Sequence, residues 1–168
     1  MRHSRSEVIR RVNQEYRRLD KLLAGLSDEE WARPVPRSET KDPWTVKDVV
    51  AHITHWKADA ARSARGERRP AEERGLNVSA GNRLIYLRWR DRPPKEVLAW
   101  HRRVQAEALA ALRAAPDKWF NGRDRRPEWP SDLDGHSVAH RVKDIEQALG
   151  KKRSGKRPSR GRGNKNVG

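Results

Sequence analysis

The stretch DPWTVKDVVAHITHWKADAAR, residues 42–62, limits the fold more than any other part of the chain. Thr45 followed three residues later by Asp48 is a capping-box signature of a helix start. Val46, Val49, Val50, Ile53 and Trp56 then recur in steps of three and four, which lines them along a helix against a core. Residues 5–26 do the same with Val8, Ile9, Val12, Tyr16, Leu19, Leu22, Leu23 and Leu26. So do residues 94–115 with Val97, Leu98, Val104, Leu109 and Leu112, and residues 135–149 with Val138, Val142, Ile145 and Leu149.

SDEE at 27–30 offers a second capping box, and NVSAGNRLIYLRWR reads as a short helix broken by Pro93 and Pro94. No segment alternates with the period of a strand. The pattern predicts an all-α fold, a four-helix bundle with long connections, the longest of them a loop over 116–135.

A chain of 168 residues is one domain's worth, long enough to bury a core. Its charged fraction of 37% exceeds its hydrophobic fraction of 34%, which suits helices with narrow apolar stripes. No run approaches the roughly 18 apolar residues of a membrane span. The start, MRHSRSEVIRR, has no apolar signal-peptide core, so the expected compartment is the cytoplasm. With no cysteine, the chain supplies neither a disulfide nor a thiol nucleophile.

The net charge of +16 is unevenly spread. KKRSGKRPSRGRGNKNVG at the C-terminus holds eight lysines and arginines and no acid, leaving 31 basic against 23 acidic residues in the rest. Gly, Ser, Pro and Asn fill the remainder of that tail, apart from Val167. The expected organisation is therefore a bundle over 1–149 and a disordered basic tail over 150–168, able to make weak, non-specific polyanion contacts. No zinc-finger spacing, aromatic RNA-binding signature or leucine zipper accompanies it.

The histidines are the chemically informative residues. At about 100° per residue, His52 sits at the edge of the apolar face of its helix. His55 is turned away, toward solvent or a neighbouring loop. His136 and His140 stand one turn apart on one side of the last helix, the spacing that lets two imidazoles grip one ion. That side lies nearly opposite Val138, Val142, Ile145 and Leu149, which leaves either a plain solvent face or a polar cleft. His101 falls in the middle of the apolar face of its helix. There it reads as a buried histidine satisfied by a polar neighbour, or as an outer partner orienting a ligand.

PWTVKDVVAHITHW resembles the second-helix signature of the DinB/YfiT-like superfamily of four-helix bundles, and GHSVAHRVKDI is similar to its fourth-helix segment. GNRLIYLRWRDRPPKEVLAW resembles the middle portion of its ClbS/DfsB-like members and of the metal-binding N-terminal domain of mycothiol-dependent maleylpyruvate isomerase. The resemblance spans residues 5–149. It implies an up-down-down-up bundle holding a divalent metal on one histidine of the second helix and two residues of the fourth, which by position are His52, His136 and His140. The isomerase branch usually carries an acid where this chain has His136, a departure from that particular reaction.

Three imidazoles suit Zn²⁺, with Ni²⁺ or Mn²⁺ as alternatives, and leave a position open for water or substrate. The resemblance also implies a low-molecular-weight thiol such as mycothiol as co-substrate. Two readings follow. One is a metal-dependent thiol transferase, isomerase or hydrolase acting on a small electrophilic substrate. The other is a non-catalytic small-molecule-binding or resistance protein of ClbS-like type, or a basic module tethered to nucleic acid. A homodimer is the oligomer allowed for.

The tail has nothing to bury. Deleting residues from about 151 onward should leave the melting temperature within about a degree or two, measured by circular dichroism.

Overall fold

The computed structural model of the chain describes residues 4–36, 41–121 and 131–151. His3 and the basic tail beyond residue 151 lie outside them. The first helix, α1 (Arg5–Ala24), starts where the Ser4 side chain accepts from the Glu7 amide, 3.2 Å away. It buries Val8, Val12, Glu15, Leu19 and Leu23 at helical steps. The predicted box at Ser27 and Glu30 forms and opens a single turn, α2 (Asp28–Trp31), which delivers Trp31 to the core.

A lone bridge between Pro34 and Thr45 then leads the chain into α3 (Val46–Ala64). Asp48 accepts there from both the amide and the hydroxyl of Thr45, at 2.9 and 2.8 Å. The helix ends at Gly66, whose φ of +76° lies in the left-handed region that glycine adopts without a Cβ penalty.

After a 3₁₀ turn, Ala71–Glu73, come α4 (Val78–Trp89), α5 (Pro94–Ala114) and α6 (Asp117–Asn121). Lys47 closes the end of α4 by donating to the carbonyls of Trp89, Arg90 and Arg92. Pro94 sits at the first turn of α5, where its missing N–H costs nothing. The last helical run begins as α7 (Ser131–His140), passes through a π-helical turn, Arg141–Ile145, and finishes as α8 (Glu146–Ala148). Among the described residues there is no strand, and no helix is long and apolar enough to cross a membrane.

Side-chain pairs fix the directions of the four long helices. Along α1, Arg5, Asn13 and Asp20 meet Ala115, Gln105 and Arg102, so α1 and α5 are antiparallel. Arg11 meets Asp134 and Glu15 meets Arg141, so α1 and α7 run together. Thr54 meets His101 and Lys57 meets Gln105, so α3 and α5 run together. The bundle is up-down-down-up, and the α4 segment is the crossover that two parallel helices require.

Three expectations change. The stretch after Pro116 is not loop from its start: α6 forms because Trp119 and Phe120 are buried against Val8, Val12 and Leu133. The last helix begins at Ser131, ahead of Gly135, since Leu133 and Asp134 are already buried in its first turn. Its apolar face also differs from the wheel. Ile145 is fully buried, but Val138 is 36% exposed and Leu133 and Ser137 point inward instead. A wheel of uniform pitch loses register across a π turn, which inserts one residue into the repeat.

Two apolar clusters occupy the ends of the bundle, one around Val12, Leu112 and Leu133, the other around Leu19, Val49, Ile53, Val97 and Ile145. Between them lies a buried polar layer of Glu15, Thr54, Lys57, His101, Gln105 and Ser137. Lys57 donates to Gln105 at 3.0 Å, and Gln105 in turn to Asn13 at 3.2 Å. Burial pushes the Lys57 ammonium down to about 8, against the pull of Glu15 and Asp134.

His101 lies 5.2 Å from the Tyr16 ring, centroid to centroid, and 3.4 Å from the Thr54 hydroxyl. Burial, reinforced by Lys57 and Arg102, pushes its imidazole down to about 3. It is the buried, locally partnered histidine of the first alternative.

Because the unfolded chain holds a proton on this group below about pH 6.5 and the folded chain does not, the contribution to stability is full above that value. It is lost as the pH falls toward 3. The loss from this group alone should be on the order of 4 kcal/mol. Urea unfolding at successive pH values should therefore show a steep acid dependence that His101→Gln flattens.

Candidate metal centre

α3 is buried on almost every side, because α5 and α7 pack on one flank and α4 covers another. That is how one helix presents both a core stripe and a cleft. His52, 3% exposed, lies against Trp44, with ring centroids 5.1 Å apart, and reaches toward α7. There its Nε2 stands 3.0 Å from Nε2 of His136, which stands 3.1 Å from Nε2 of His140. One ligand nitrogen from each of the three lies within 4.8 Å of the other two. The two histidines of α7 therefore face a polar cleft, and the solvent-face alternative falls.

The tautomer of His140 follows from its other nitrogen. Nδ1 is 2.6 Å from Oδ2 of Asp144, and a carboxylate only accepts, so Nδ1 carries the hydrogen. In the neutral ring the Nε2 lone pair then points at its neighbours. Three ring nitrogens so close, at least one of them a bare lone pair, are poorly satisfied by each other. The separations of 3.0 and 3.1 Å are close to the roughly 3.3 Å that a tetrahedral ion with bonds of about 2.0 to 2.1 Å asks of its ligands, and the third pair lies within 4.8 Å. The residues present fit a divalent metal.

α7 is clamped to α1 on both sides of the pair. Arg11 binds Asp134 through two bonds of 2.9 and 3.0 Å, and Arg141 binds Glu15 through two of 2.8 and 3.0 Å. Ser137, between the two histidines, adds a 3.3 Å bond to the same Glu15.

The three histidines open into a cavity of about 550 Å³. Its other walls are Trp56, Leu76, Val78 and Leu84, with Arg69, Glu73 and Asn82 among the polar groups. Trp56 donates to Asn82 at 3.3 Å and carries the Arg69 guanidinium over its ring, while Asp59 holds Arg69 from the side. His55 also lines the cavity. It reaches the neighbouring loop, as one branch of the expectation had it, but it is buried, because the 3₁₀ turn and α4 cover it. Its Nε2 is 3.4 Å from Oε2 of Glu73. Burial pushes the His55 imidazole below the ordinary histidine range, opposed chiefly by Glu73 and then Asp59.

Sequence reasoning did not single out Asp144 or Glu73. Asp144 had a signal, a carboxylate four residues after His140 on the same helix. Glu73 had none, being far from any histidine in sequence.

The bundle order is that of a DinB/YfiT-like four-helix bundle. Within that class, the chain belongs to the mycothiol maleylpyruvate isomerase N-terminal domain family, whose model matches residues 12–146. Among solved structures it is similar to the colibactin self-resistance protein ClbS in complex with a double-stranded DNA. That match has a TM-score of 0.62 and 16% identity, over 88% of this chain and 92% of that one. It is also similar to an uncharacterised protein from Escherichia coli UTI89, with a TM-score of 0.62 and 14% identity over 88% and 87% of the two chains. At these identities the likeness is one of fold. Comparison with curated proteins yields no match.

The clamp on α7 is the most exposed point of this design to mutation. Glu15→Ala leaves the partly buried Arg141 with Glu146 alone, among the described residues, to answer it. A loss of about 3 kcal/mol is expected, measured by chemical unfolding.

Proposed function

We propose that the chain holds a divalent metal ion on Nε2 of His52, His136 and His140 and acts, within its bundle of residues 1–149, on a small electrophile in the adjoining cavity. The observation that carries this reading is the convergence of three imidazole nitrogens from two helices, with Asp144 fixing the tautomer of one. Neutral imidazoles favour Zn²⁺, with Ni²⁺ or Mn²⁺ as alternatives. When bound, such an ion supplies Lewis acidity that stabilises an anionic nucleophile near neutral pH.

The chain's own residues do the rest. Asp144 orients His140, Trp44 packs against His52, and Trp56, Leu76, Val78 and Leu84 give an apolar wall to the substrate body. A cavity of this size suits a small molecule. The family makes thiol transfer, with mycothiol or a similar thiol as donor, the favoured chemistry, and hydrolysis the alternative. A chain without cysteine must take its sulfur from outside. His136, where the isomerase branch usually has an acid, argues against maleylpyruvate isomerisation as such.

A second reading is non-catalytic sequestration of a reactive small molecule, or a module held on nucleic acid. The likeness to ClbS, a self-resistance protein crystallised with double-stranded DNA, and the net charge of +16 favour it. On that reading binding would weaken steeply with salt and survive loss of all three histidines.

Elemental analysis after zinc loading and dialysis separates the two. Wild type should retain about one equivalent, as expected for a single site closed by the three histidines. His52→Ala, His136→Ala and His140→Ala should retain none, and His55→Gln should match wild type. Asp144→Asn should weaken zinc by about 10- to 100-fold, the usual cost of losing a partner behind a ligand. A wild type that retains no metal overturns the metal reading.

A further inference from the structure

One turn along α3 from His52, the cavity wall carries a second set of ionisable groups that the three-histidine cluster does not use. His55 lies 3.4 Å from Glu73, and the other oxygen of Glu73 accepts from Arg88 at 3.0 Å. The chain of groups ties α3, the 3₁₀ turn and α4 together. His55 is 8% exposed and Glu73 6%. Burying two ionisable side chains is costly, and an apolar pair would close the same joint more cheaply. Here the pair is kept where His55 borders the cavity, a turn away from a residue of the metal centre.

With Nε2–H toward the Glu73 carboxylate, Nδ1 is the basic position left on the ring. Glu73 then stabilises the imidazolium that proton uptake creates, the role an acid plays behind a catalytic histidine. Arg88 holds the Glu73 carboxylate in place. Asp59 also favours the charged form of His55, and Arg88 and then Arg62 disfavour it, while burial, the largest influence, holds the ring neutral beforehand, the state a base requires.

We propose that His55 is the proton acceptor of this site, with Glu73 as its positioning residue, for a thiol that enters the cavity. The proposal rests on the metal reading above. In the step, the S–H bond breaks, its electron pair stays on sulfur, and the proton passes to Nδ1 of His55. No oxidant or reductant takes part.

The test counts protons. Cobalt-loaded protein is titrated with 2-mercaptoethanol at about pH 7, where a free histidine is poised to titrate. Calorimetry in two buffers of different ionisation enthalpy gives the protons released per thiol bound, and the sulfur-to-cobalt absorption band reports binding. Wild type should release well under one proton per thiol, His55→Gln close to one, and Glu73→Gln an intermediate amount. Equal release from wild type and His55→Gln, both with full cobalt content and the sulfur band, overturns the role of His55. A joint that only ties the loop to the bundle predicts that equality. If His55→Gln fails to fold by circular dichroism, Glu73→Gln carries the comparison: raised release supports the proposal and unchanged release overturns it. A wild type that takes up no cobalt fails at the earlier step, in metal content before thiol is added, and overturns the metal reading and this proposal together. One that holds cobalt but gives no sulfur band overturns the proposal alone.

Discussion

The ion pair between Glu15 and Arg141 is the constraint on which the rest of the structure turns. Glu15 sits midway along α1, 3% exposed, and takes two bonds from Arg141 and a third from Ser137. A buried pair of this kind contributes little net stability, but it punishes any other register, because a shift of one residue strands a charge in the core. The α7 segment has modest apolar content to choose its own position. Charge pairing, here and at Arg11 with Asp134, chooses it instead, and so fixes where His136 and His140 stand.

The polar layer to which Glu15 belongs separates two apolar clusters, so the bundle is held by burial at its ends and by hydrogen bonds at its waist. The histidine cleft adjoins this layer, opening on the flank of α3 where α4 leaves room. A cleft built from the sides of α3 and α7 keeps its three histidines on packed helices, while the cavity's outer wall, from the 3₁₀ turn and α4, comes from the crossover. Stability and site geometry thus depend on the same contacts. The substitutions that loosen the waist should also disturb the cleft.

Much was legible beforehand. The periodic apolar steps in α1, α3 and α5, the boxes at Ser27 and Thr45, and Pro94 at the start of α5 are local signals, and the structure follows them. The histidine positions brought together in the cleft could be named from the resemblance to DinB/YfiT-like bundles, with the wheel preferring His52 to His55. Where the reading failed, the cause was non-local. The apolar face of the last helix was misplaced because the π turn at Arg141–Ile145 breaks the pitch that a wheel assumes. His55 was given a choice of solvent or loop because nothing near it in sequence foretells burial by Glu73 and α4.

The sequence by itself determined that this chain is helical, where most helices begin, and which histidines can share a side of one helix. Those properties depend on residues three or four apart, whose relation the α-helix fixes in advance. Only the tertiary structure decided that His52 meets the pair on α7 and that His55 lies buried beside Glu73. Nitrogens 84 residues apart in sequence come within 3.0 Å only because packing, polar satisfaction and charge pairing agree on a single arrangement of the helices.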